Sequence, residues 1–166
     1  EPESTKPVIY HCVSRVVNRD FVFQSVEKER LRMFMRMYEV FSGNRILSYC
    51  FMSNHIHLLL EVIPAAPEGL SDQELLRRLR AIYLEEQVEV VAQELTEARK
   101  AVAEGISDES RVAEIHARFT YRMHDLSQFM KSFMQRYTQW HNKVHQRRGR
   151  LWEARFKSVI VESGIA

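Results

Sequence analysis

The stretch YCFMSNHIHLLLEV (49–62) restricts the fold more than any other part of the chain. An apolar run meets a two-residue polar break, Ser53-Asn54, and then strict alternation begins. On a strand, Ile56, Leu58, Leu60 and Val62 project to one side, and His55, His57, Leu59 and Glu61 to the other. Two strand-like runs so close together predict a hairpin, although the break lacks the favoured glycine. A hairpin with one apolar face needs other elements to cover that face. The two imidazoles stand on the opposite face, so core packing is not the reason for them.

The flanking segments supply the cover. VIYHCVSRVV (8–17) reads as a strand with His11, Val13 and Arg15 on one side and Tyr10, Cys12 and Ser14 on the other. A helix is predicted from about 26 to 42, capped by Ser25, with Leu31, Phe34, Met35, Tyr38 and Phe41 as its stripe and Gly43 as its stop. RILSYCFM (45–52) and HIHLLLEV (55–62) are the second and third strands. After Pro64 and Pro67, Ser71 and Glu74 form a capping box that opens a long charged helix to about 103. EGISDES (104–110) interrupts it, and a shorter helix runs through 117. Asp125 or Ser127 starts a helix with the stripe Leu126, Phe129, Met130, Phe133, Met134, Tyr137, Trp140 and Val144. Gly149 leads into a last strand, 151–161. The order β-α-β-β-α-β predicts an α+β ferredoxin-like sandwich, an antiparallel sheet with helices on one face, in a single domain over 1–166 with a helical insertion at about 68–124.

A net charge of +2 conceals an uneven distribution. From Glu68 to Glu114 there are twelve acids and six bases; from Lys131 to Lys157 there are eight bases and one acid, Glu153. The second block also holds Tyr137, Trp140, Trp152 and Phe156. Cations interleaved with aromatics suit a nucleic-acid strand, phosphates taking the charge and bases stacking on the rings; a solvated helix face running into an edge strand carries the same composition. The acidic segment is read as a dimer arm or a lid rather than a DNA contact. No apolar run approaches the roughly 18 residues of a membrane span, and Cys12 and Cys50 read as free thiols of a reducing compartment, which makes the cytoplasm the default location.

Two imidazoles side by side, joined by a further oxygen or nitrogen donor, make a three-point site for a divalent cation and leave positions open for a phosphate. Glu61 is either that further donor or a solvated carboxylate at the strand end.

The same stretch resembles the HUH motif of single-strand DNA transposases with one catalytic tyrosine, and the branch of REP-associated tyrosine transposases is the most similar. YHCVSR (10–15) and QRYTQWHNKVHQRRGRLWEARFKSVIVE (135–162) follow in the family's order, so the resemblance covers most of the chain outside 68–124. It implies a ferredoxin-like fold, a homodimer, and action on single-stranded DNA bearing hairpins. It also implies Mg2+ or Mn2+ held by His55 and His57, and a tyrosine that attacks the phosphodiester to leave a 5′-phosphotyrosine and a free 3′-hydroxyl. Arg15, Arg147, Arg148, Arg150, Arg155 and Lys157 are the residues expected to hold DNA. Two departures stand out. Ser53 occupies a position usually filled by proline. The family's nucleophile and third ligand lie in a Tyr-x-His-x-Asn-Pro helix after the strand matched here by ARFKSVIVE (154–162), which places them beyond Ala166 and makes the chain a truncated one. Within the chain, Tyr137 with His141 one turn later is the substitute, unless Tyr137 is a core aromatic. The alternatives are a non-catalytic module that binds hairpin DNA, and a metal-free RNA-binding domain.

Overall fold

The computed structural model describes residues 5–161. Four strands form one antiparallel sheet: β1 (Val8–Arg15), β2 (Arg45–Phe51), β3 (His55–Val62) and β4 (Lys157–Ile160), in the order β2-β3-β1-β4. The helices α1 (Ser25–Ser42) and α5 (Leu126–Val144) pack on one face and complete the β-α-β-β-α-β frame. Three helices, α2 (Asp72–Arg80), α3 (Glu85–Ala103) and α4 (Ser110–Thr120), are interposed between β3 and α5. The chain is α+β with the ferredoxin-like strand order and a helical insertion.

Alternation decides the two sheet faces. Cys12, Ser14, Ile46, Ile56, Leu58 and Leu60 are buried beneath the helices together with Leu31, Phe34, Met35, Phe129, Phe133 and Tyr137. Burying each such aliphatic or aromatic side chain contributes about 1.5–3 kcal/mol. Register makes this strict, since a one-residue slip in β3 would bury the histidines and expose the leucines.

Local chemistry sets the helix ends. Glu27 takes the Gln24 N–H (3.1 Å), so α1 is capped at Gln24, one position earlier than the cap read from the sequence, and Ser25 is its first helical residue. Gly43 ends α1 with φ +72°, where a Cβ would lie 2.5 Å from the His124 ring and 2.6 Å from Arg78 Nη1. That close approach docks the interposed helices on the frame: His124 N–H donates to Ser42 O (2.7 Å), His124 Nδ1 contacts Ile63 O (2.6 Å), and Arg78 Nη1 reaches His124 Nε2 (3.0 Å).

The long helix predicted over 72–103 is two helices. Leu84 N–H is taken by the Gln87 side chain (3.0 Å), which starts α3 afresh after a turn at 81–84. The last strand is shorter than predicted. Trp152 makes an isolated bridge with Val16 and turns its indole inward to donate to Thr138 Oγ1 (3.0 Å), so regular pairing begins only at Lys157. In α5 it is His141 that is buried, whereas Val144 is exposed.

Candidate metal and nucleic-acid site

The histidines occupy the sheet face left open by the helices. Paired residues share a face, so the register aligns Cys50, His57, Val13 and Lys157 in one row across β2, β3, β1 and β4, with His55 and Arg15 in the next. The structure therefore brings His55, His57, Arg15 and Lys157 together on one surface.

Each imidazole has an orienting partner. The β2–β3 hairpin tip is held by the segment after β1: Val16 N–H donates to Asn54 O (2.9 Å) and Phe23 N–H to Ser53 O (2.9 Å). Asn54 Nδ2 donates to Arg19 O (3.1 Å), which fixes the amide so that Oδ1 accepts from His55 Nδ1 (2.8 Å). The proton is thereby placed on Nδ1, and Nε2 keeps a free lone pair. His57 Nδ1 lies 3.0 Å from His11 Nε2, the two rings stacked at 5.2 Å with an 11° interplanar angle. Burial first, and the positive Arg15 second, hold His55 below its ordinary value; burial, then His55, His11 and Arg15, do the same for His57. Neutral imidazoles are what a metal requires.

The donor chemistry fits part of a divalent-ion shell. His55 and His57 are 4.9 Å apart between ring centroids, each with an outer partner of the kind that orients metal-bound histidines. Among the described residues no three His, Cys, Asp or Glu side chains converge on one point. Glu61 is not a third: both Nε and Nη2 of Arg45 engage its Oε1 (3.2 and 2.7 Å).

Tyr137 lies elsewhere. It is fully buried on α5, edge-on to Phe23, with its hydroxyl 3.0 Å from His141 Nδ1. Burial pushes its phenol far above the ordinary value and brings His141 down to about 4, with His145 and Arg147 adding to the latter. The pair sits beneath the sheet, away from the histidine face, and has the environment of a core aromatic and its hydrogen-bond partner. None of the other five tyrosines reaches the open face. Tyr10 and Tyr49 pair with Leu60 and Leu58 on the covered side, Tyr38 is buried on α1, and Tyr83 and Tyr121 lie between β3 and α5.

Of the remaining cations, Arg147 is tied to Asn142 Oδ1 (2.9 Å) and Arg150 O (3.0 Å) and shapes the loop before β4, while Arg148 and Arg150 are exposed. Arg155 donates to Ser127 Oγ (3.2 Å). Two residues were not singled out from sequence, Asn54 and His11. The alternation of β1 already placed His11 on the face of Arg15; only the pairing of β1 with β3 brings it against His57.

Residues 4–69, the segment from before β1 to after β3, match the family model described as "Transposase IS200 like". The match covers both histidines, Asn54, His11 and Arg15, and less than half of the chain. It supports a transposase family. No curated protein matches the chain. Among the described residues no helix is long and apolar enough to cross a membrane.

Proposed function

We propose that this chain is the metal- and DNA-holding part of a tyrosine transposase of the HUH type, which cleaves and rejoins single-stranded hairpin DNA through a phosphotyrosine intermediate. The observation that carries the reading is the pair His55 and His57, each oriented by a partner, set beside Arg15 and Lys157 on an open sheet face within the segment that matches the transposase model. His55 and His57 would hold Mg2+ or Mn2+, which when bound supplies Lewis-acid polarisation of a phosphate oxygen. Asn54 and His11 keep the imidazoles in place, and Arg15 and Lys157 neutralise phosphates on either side. A tyrosine oxygen attacks the phosphorus, the bond to the 3′-oxygen breaks, and that oxygen leaves as the hydroxyl; the phosphotyrosine conserves the bond for rejoining. Because none of the six tyrosines faces the histidines, we assign the nucleophile to a residue outside these 166, working in a homodimer in the cytoplasm.

A second reading has its own support. The burial of Tyr137 favours a hairpin-binding module without strand chemistry. The two readings part on one experiment. A pool of single-stranded hairpin oligonucleotides is incubated with Mn2+ and the protein expressed from its full coding sequence, then resolved on parallel denaturing and native gels. A covalent adduct that maps to tyrosine and vanishes in His57→Ala supports the transposase; Mn2+-dependent retention of DNA without adduct supports the binding module. Binding that ignores both EDTA and the histidine substitutions contradicts both.

A further inference from the structure

Beside the histidine face, but on the helix side of the sheet, lies a groove of about 440 Å3 between the start of α5 and the loop leading to β4. Its walls include Lys131, Arg150 and Arg155, the rings of Trp152 and Phe156, and Ser127, and no carboxylate. The volume falls within the roughly 300–1,000 Å3 of small-ligand sites.

We infer that this groove takes one unpaired nucleotide of single-stranded DNA, its base against the half-buried Phe156 ring and its phosphate among Lys131, Arg150 and Arg155. The inference rests on the reading under Proposed function and adds a second point of contact to it. Three observations carry it. Three cations around one concavity repel one another, and an anionic guest removes that repulsion. The floor is preorganised: buried Trp152 donates its indole N–H to Thr138 Oγ1 and packs on Phe23 at 5.6 Å, so this part of the groove need not rearrange when a base enters. Arg155 is likewise held, by Ser127 Oγ and over the Phe156 ring at 5.8 Å. The site does not depend on the helix end, whose Gln128 N–H is already taken by Asp125 (2.7 Å).

Position supports the assignment. The Val16–Trp152 bridge and the bond from Glu153 N–H to Arg15 O (2.8 Å) fasten the groove to the end of β1, where Arg15 pairs with His55. A strand with one phosphate at the histidines can therefore continue round the sheet end into the groove.

The test measures binding of fluorescein-labelled dT30 and of an abasic strand of equal length to the whole chain, by fluorescence anisotropy across a salt series. Phe156→Leu, which keeps apolar packing but removes the ring, is expected to weaken dT30 about fivefold or more and to leave the abasic strand unchanged. Lys131→Gln with Arg150→Gln is expected to weaken both strands and lower the salt slope by roughly 1.4. Thermal melts confirm that the variants fold. If the parent chain binds dT30 and the folded variants bind it equally well, the groove assignment is overturned while the histidine site stands. If the parent binds no single strand, both fall. A thirty-residue oligouridine that binds more tightly, and loses more on Phe156→Leu, would transfer the groove to RNA and overturn its assignment to DNA.

Discussion

Arginine serves opposite ends in two parts of this molecule. In the interposed helices, Arg77 and Arg78 pair with Glu74, Arg80 with Glu85, Arg99 with Asp72 and Glu109, and Arg111 and Arg118 with Glu94 and Glu114. Several of these pairs join one helix to another, and the Arg77 and Arg78 guanidiniums hold Glu74 down to about 2. In the block 131–157, no carboxylate among the described residues comes within ion-pair distance of any of the eight bases, and Glu153 turns to Arg19 instead (3.8 Å). Composition alone reads both regions as charged surface. Pairing separates a region whose arginines all have carboxylate partners from a region whose bases have none among the described residues.

The largest expected effect lies on the histidine face, to which Lys157 of the unpaired block belongs. His57→Ala is expected to reduce Mn2+ binding at least tenfold and to abolish metal-dependent DNA retention, with the melting curve little changed because the ring is not part of the core. Asn54→Ala, which frees His55 without removing it, is expected to give a smaller loss of the same kind; isothermal titration reads both. Next comes the junction between the regions. Gly43→Ala combines a left-handed backbone with contact on His124 and Arg78, and is expected to cost about 2–4 kcal/mol in urea unfolding. Metal binding that survived while the interposed helices melted separately would sharpen the division into two regions.

Acid tests the core beneath the sheet. His141 is held near 4 in the folded chain and titrates near 6.5 when unfolded, so the unfolded state binds the extra proton between those values. Stability is therefore complete above about 6.5 and falls as pH drops toward 4, by on the order of 2–3 kcal/mol from this residue, and His141→Gln is expected to flatten that part of the profile. The smallest effect belongs to the paired side. Arg118→Ala is expected to cost under about 1 kcal/mol and to leave DNA affinity untouched, since exposed ion pairs contribute little. A loss of DNA binding there would break the contrast between the regions.

Much of the frame could be read from sequence because strand alternation and helix stripes are local signals. The faces of β1 and β3, the hairpin at Ser53-Asn54, and the starts of α2 and α5 at Ser71 and Asp125 all follow from neighbours in the chain. What escaped was decided by distant partners. No glycine or proline marks 81–84, and the break there rests on a side-chain cap by Gln87. Strand β4 is short because Trp152 is drawn into the core by Thr138. The histidine pair was visible as a pair, but its orientation was not: His11 is 46 residues from His57 in the chain, and Asn54 gains its role only by bonding to Arg19 O. Tyr137 shows the opposite limit. Its spacing from His141 suits a nucleophile beside a ligand and equally suits a buried hydrogen bond, and burial selects the latter environment.

The most direct measurement is a Mn2+ titration of the chain followed by electron paramagnetic resonance, with and without a single-stranded hairpin oligonucleotide. Loss of the free-ion signal in the parent, enhanced by DNA and absent in the His55→Ala/His57→Ala double variant, is the expected result. An equal loss of signal in the double variant, or none in the parent with DNA present, would contradict a metal held against DNA by these two imidazoles.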